Sequence, residues 1–173
     1  GAGGVPAAIF VMAADSRPGA PDPRRALEGR TDDFLRGLHA LSRLTGALVL
    51  VEGAGPPLAA PGGPPGMRRL RCGPLHPQGL AGIQIHRHRP ASVAARVWDI
   101  HAEDAADLGA LLATGLLPET RLVSLTGPAL RAARLVRTSP GADLRGLSHG
   151  HVRPGPHELL SGPALGGHPA HWL

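Results

Sequence analysis

Hydrophobic and polar positions along this chain fall into two textures. The stretch AAIFVMAA, Ala7 to Ala14, is short, continuously apolar and followed by the breaker run DSRPGAPDP. That pattern predicts a buried strand. Asp22 then stands where a helix N-cap belongs, with Pro23 at the first helical position. Apolar residues recur at Leu27, Phe34, Leu35, Leu38, Leu41 and Leu44, a stripe that predicts one long helix ended by Gly46. ALVLVEG, Ala47 to Gly53, predicts a second strand. Residues 7–53 therefore read as strand–helix–strand, which favours a parallel pair with a right-handed crossover.

The breaker-rich stretch AGPPLAAPGGPPG, Ala54 to Gly66, predicts a surface loop, and MRRLRC after it a short strand. VWDI, Val97 to Ile100, predicts another strand. The helix that follows carries Glu103 and Asp104 in its first turn, where negative charge suits the helix dipole. Its expected buried face is Leu108, Leu111 and Leu112, and Gly115 closes it. From RLVSL, Arg121 to Leu125, the texture changes to short strands, turns and a brief helix near Asp143 to Leu147. The expected boundary lies close to Pro118.

Composition adjusts this picture in two places. Gly 25 and Pro 19 make up about a quarter of the 173 residues, near the range of disordered chains. The periodic apolar positions, at 42% hydrophobic content, point instead to a folded domain rich in turns. The net charge of +5 and the pI near 11.3 would ordinarily suggest a nucleic-acid or anionic-membrane partner. All 18 basic residues are arginine, however, and Lys, Asn and Tyr are absent, a bias that GC-rich codon usage explains. The arginines are scattered, apart from Arg68, Arg69 and Arg71, and Phe10, Phe34, Trp98 and Trp172 offer no platform for stacking bases. Nucleic acid is not an expected partner. One cysteine, Cys72, excludes an internal disulfide and an all-cysteine iron–sulfur cluster within this chain. The apolar runs fall far short of a membrane span. The opening GAGGVP and the ending HWL are expected to be the limits of a piece of a longer protein.

Two segments carry candidate chemistry. AADSRPGAPDP lies at the carboxyl end of the first strand, where open α/β sheets bind ligands. Asp15 there can accept hydrogen bonds from a ribose or a ribityl chain, or Asp15 and Ser16 can simply cap a turn shaped by Pro18 and Gly19. GPLHPQGLAGIQIHRHRP, Gly73 to Pro90, sets His86 and His88 on alternate positions, which on a strand would share a face. His76 and His101 do not supply oriented further ligands, so no metal is expected. Gly79 and Gly82 form only a GxxG, too weak for a dinucleotide fingerprint, and without lysine there is no P-loop. Ser, His and Asp occur without a GxSxG elbow or a catalytic-cysteine signature, so no catalytic residue is assigned.

Taken in order, IFVMAADSRP with its downstream DP, DDFLRGLHALSRLTG, GPLHPQGLAGIQIH, VWDI followed by LGALLATGLL, TRLVSLTGPALRAARLVRT, HELLSGPALGG and AHWL resemble the NqrA family, one subunit of the bacterial Na+-translocating NADH:quinone reductase. The resemblance implies a Rossmann-like parallel-sheet α/β domain over 1–117, related to the flavin subunit of respiratory complex I. It implies a small α+β domain of the β-grasp, soluble-ligand-binding type over 118–173, truncated at its end.

It further implies a peripheral subunit on the cytoplasmic face of the inner membrane, held by the other subunits and chiefly by the membrane-embedded quinone-site subunit. Ubiquinone is the implied substrate. NADH, flavins, iron–sulfur centres and Na+ would belong to the complex as a whole, with no cofactor bound by this chain. Flavin-binding relatives carry an acidic NADESEPG-like segment where this chain has MAADSRPG. Only Asp15 keeps a carboxylate and Arg17 replaces an acid, as in a degraded flavin site. The loop with His76, Gly79, Gly82 and His86 is the expected quinone or subunit contact, with a tight structural turn as the plainer alternative. Two rivals stand beside this reading: a component of the related Rnf-type electron-transport complex, which cysteine motifs further along a longer chain would favour, and a stand-alone ligand-binding module.

Overall fold

The computed structural model describes residues 4–59, 62–164 and 166–170. The chain divides into two compact units, Gly1–Ser16 with Asp22–Pro118, and Arg17–Pro21 with Glu119–Leu173.

The first unit is a parallel four-stranded sheet with helices on both faces. Strands β1 (Ala8–Ala13), β2 (Leu48–Glu52), β3 (Arg68–Arg71) and β4 (Val97–His101) lie in the order β3-β2-β1-β4. Ile9 pairs with Leu48 on one side of β1 and with Trp98 on the other. All six residues of β1 are buried, as a central parallel strand requires when both its faces are covered. Ile9, Val11 and Ala13 face one layer with Leu48 and Leu50. Phe10 and Met12 face the other with Val49 and Val51. The helices α2 (Thr31–Ser42) and α4 (Ala102–Thr114) cover the first face, and α3 (Ala81–His88) covers the second through Ala81 and Ile85.

The expected long helix is two helices. A short α1 (Pro23–Ala26) starts at Asp22, whose Oδ1 accepts from the Arg24 N–H at 3.0 Å. Gly29, with φ +74°, turns the chain before α2 begins at Thr31. The apolar stripe persists across that break because Leu27 and Phe34 pack into the same core. Nor does Gly46 end α2, which stops at Ser42 with Arg43 as its cap and leaves Leu44 half-exposed. Replacing Asp22 by alanine should lower stability by about 1 kcal/mol through loss of the cap. Chemical denaturation of the full-length protein checks this, and an unchanged midpoint would show that the cap is idle.

The expectation for His86 and His88 is also corrected. Their segment is helix α3 and not a strand, so residues two apart point to opposed sides and do not share a face. Ala81, Gln84 and Ile85 are its inward positions, at helical spacing. In α4 the expected Leu face gives way to smaller residues. Ala102, Ala105, Ala106 and Gly109 are buried, Leu108 is partly buried, and Leu112 is 57% exposed. Gly115 closes the helix in the left-handed conformation, as expected.

The second unit is built on an antiparallel pair, β5 (Arg121–Leu125) with β6 (Arg134–Thr138), where Val123 stands opposite Val136. The helix α5 (Leu144–Ser148) is capped by Asp143, which accepts from the N–H groups of Arg145 and Gly146. A bridge between Leu130 and Val152 and a two-residue pair, β7 (Leu160–Ser161) with β8 (His168–Pro169), complete the described part.

Candidate functional site at the carboxyl end of strand β1

From β1 the chain continues to β2 on one side, while β4 pairs on the other, so the sheet order reverses there. The carboxyl ends of strands at such a reversal are where open α/β sheets take ligands. The segment Asp15–Ser16 leaves β1 at this point, and the loop between β3 and α3 folds over it.

Three contacts fix that loop. Gly79 is buried, and its N–H donates to Ser16 Oγ at 2.8 Å. A Cβ on Gly79 would stand 2.5 Å from the Ser16 amide nitrogen, so only glycine permits this approach. Gln84, 3% exposed on α3, donates from Nε2 to the Gln78 carbonyl at 2.6 Å. The His76–Pro77 peptide bond is cis, and the His76 ring lies with Nδ1 3.1 Å from the Ser16 carbonyl oxygen. A carbonyl only accepts, which assigns the proton to Nδ1. In the neutral ring Nε2 is then an acceptor, and in the charged ring it is a second donor. His76 itself is exposed.

The structure thus brings together two segments that sequence spacing kept apart, Asp15–Ser16 and His76–Gly79. It does not add Gly82 or His86 to them as loop residues. Both lie on α3, where His86 is exposed and a Cβ on Gly82 would meet nothing within 4 Å. The Gly79 N–H is taken by Ser16 Oγ. Arg17 falls in the second unit, where its carbonyl accepts from the Ala20 N–H in a turn. Ser16, read from the sequence as a turn cap, is the joint of the loop. No spacing rule could have shown that, because its partner is 63 residues away.

The chemistry available is hydrogen bonding. The N-terminal turn of α4 carries Glu103 and Asp104 beside β4, and these oppose a phosphate at that helix end. Burial pushes the Cys72 thiol above its ordinary pKa, with its backbone hydrogen bond opposing, which keeps it protonated and poorly nucleophilic. Among the described residues no group of three or more His, Cys, Asp or Glu side chains is placed to hold a metal ion. No helix there is long and apolar enough to cross a membrane. A groove of about 570 Å³ lined by Val5, Pro6, Arg43, Leu44, Thr45 and Trp98 lies at the opposite, amino end of the strands. It lacks the convergent polar groups of the β1 end.

Residues 2–117 match the family model described as the NqrA second alpha/beta domain, and residues 122–171 match the NQRA C-terminal domain. The chain belongs to the NqrA family. The A subunit of the Na(+)-translocating NADH-quinone reductase of Actinobacillus succinogenes is 39% identical over 163 residues, covering 94% of this chain and 36% of that protein. The corresponding protein of Tolumonas auensis is 40% identical over 168 residues, covering 97% of this chain and 37% of the relative. That of Pseudomonas aeruginosa strain UCBPP-PA14 is 38% identical over 167 residues, covering 96% and 37%. The chain spans 36–37% of the length of these relatives. Membership of the NqrA family agrees with the parallel α/β unit and the small antiparallel unit.

Proposed function

We propose that this chain is part of a peripheral subunit of a Na+-pumping NADH:ubiquinone oxidoreductase, sits on the cytoplasmic face of the membrane, and works through quinone and subunit contacts without a cofactor of its own. In this reading the domains run over 1–117 and 118–173. The relatives, named as one subunit of the reductase, support the complex. The observation that carries the site is His76, an exposed residue whose ring is held by the Ser16 carbonyl at the carboxyl end of β1. With Nδ1–H committed, the charged ring donates Nε2–H to a quinone carbonyl, and the neutral ring accepts from a quinol hydroxyl. Asp15 and Arg17 belong to the remnant of the flavin segment and touch neither nucleotide nor nicotinamide. Gly82 and His86, on the open side of α3, serve a subunit contact.

Exchanging His76 for glutamine in the assembled complex tests the first part. The KM for quinone should rise about five- to tenfold, the effect of one lost hydrogen bond, while assembly is retained. His86→Gln should leave that KM alone and weaken co-purification with the membrane subunits. If quinone reduction and assembly both survive intact in the two variants, the loop is structural and leaves the site.

A further inference from the structure

The amino end of the parallel sheet is held by its own hydrogen bonds. Thr45, buried in the turn before β2, donates from Oγ1 to the Pro6 carbonyl at 3.1 Å and accepts from the Ala47 N–H at 3.2 Å. The Ala7 N–H donates to the Arg96 carbonyl at 2.8 Å, and the Ile9 N–H to the Ala47 carbonyl at 3.0 Å. The segment that enters β1 is therefore pinned between the residues leading into β2 and those leading into β4. The groove of about 570 Å³ at this end is preformed. Val5 is 81% exposed, Leu44 51% and Trp98 45%, and all three line it. Apolar side chains exposed singly are ordinary on a folded surface. Two aliphatic groups and an indole that share one concavity mark a surface that another body covers.

Covalent reach selects that body. Residues 2–117 match the second alpha/beta domain of the family, and the chain spans 36–37% of the length of its relatives. A domain that precedes this one in the full-length protein is joined to it through residue 2. From there to Val5, on the lip of the groove, the backbone reaches at most about 10–11 Å. A domain tethered so close meets the groove at an effective concentration on the order of millimolar, whereas a second copy meets it only at the concentration of the protein. Arg43, exposed and also lining the groove, adds a charge that an acidic group can meet at the rim.

We propose that this groove is the docking site of the preceding domain of the same polypeptide. That domain seats an apolar side chain against Val5, Leu44 and Trp98 and sets an acidic group beside Arg43. The contact lies at the opposite end of the strands from the quinone contact and does not depend on it.

The test uses the full-length protein with Leu44→p-benzoylphenylalanine, irradiated and digested, with the linked peptides identified by mass spectrometry. A link within one molecule, to a peptide that precedes Gly1, is the expected result. The same replacement at Leu75, 69% exposed in the loop after β3, should not link to that peptide. Hydrogen exchange gives the second measurement. Leu44 lies outside both core clusters, so Leu44→Glu should leave β1 and β2 protected while exchange in the linked peptide rises about tenfold. A link to a second copy, a link only to chain beyond Leu173, no link at all, or unchanged exchange in Leu44→Glu overturns the docking site.

Discussion

Replacing Gly109 by alanine should destabilise the first unit by about 1–2 kcal/mol net, although alanine is the better helix former. The two helices α2 and α4 touch through their backbones. A Cβ on Gly109 would stand 1.8 Å from the Asp33 carbonyl oxygen, and one on Gly37 would stand 1.8 Å from that of Ala105. Neither obstacle is a side chain that can rotate away. To admit a methyl group the helices must move apart along the face that carries Phe34, Leu38, Ala102, Ala105 and Ala106. Overpacking of this kind typically costs about 1–3 kcal/mol. Relief of the helical glycine returns only about 0.5–1 kcal/mol. The sign separates the two effects: urea unfolding should show a lower midpoint at unchanged slope for Gly109→Ala and for Gly37→Ala. A raised midpoint would mean that the helices lie further apart than described.

The same contact explains where sequence reading of the fold stopped. β1 and β2 were legible because a continuously apolar run of six residues has few other places to go, and β4 followed from VWDI ahead of a helix with acids in its first turn. For α4, two stripes at helical spacing compete, one of leucines and one of Ala102, Ala105, Ala106 and Gly109. Hydrophobicity favours the leucines. Close backbone approach to Gly37 selects the small residues, and that approach is a property of two helices far apart in sequence. For α3 the difficulty was local: His86 and His88 alternate in a short segment, while the inward residues include Gln84, whose burial is made possible by the Gln78 carbonyl. Of the candidate site, the segments were legible and their meeting was not. Glycine at 79 says that something comes near; only the parallel order β3-β2-β1-β4 says that it is Ser16.

A buried ion pair that no motif announced gives the second large effect. Glu52, at the end of an otherwise apolar strand, is 2% exposed. Its carboxylate accepts from the Leu58 N–H at 2.7 Å and from Arg69 through Nε at 3.1 Å and Nη2 at 2.9 Å. Arg69 pairs in register with Leu50 and so reaches diagonally along the ladder to Glu52. Arg69→Ala would leave the carboxylate enclosed with one backbone donor. Removing one partner of a buried pair costs about 3–5 kcal/mol, and the partial exposure of Arg69, 31%, puts the expected loss near the lower end, about 3 kcal/mol. Glu52→Gln alone keeps an acceptor for Leu58 and should cost less. The decisive comparison is the double variant Glu52→Gln with Arg69→Ala. If the pair is coupled as its geometry indicates, adding Glu52→Gln to Arg69→Ala should recover at least about 1 kcal/mol, because no buried charge remains without a partner. Simple addition of the two single losses, measured by chemical denaturation, would show that water reaches Glu52 and that the strand end is looser than its burial implies.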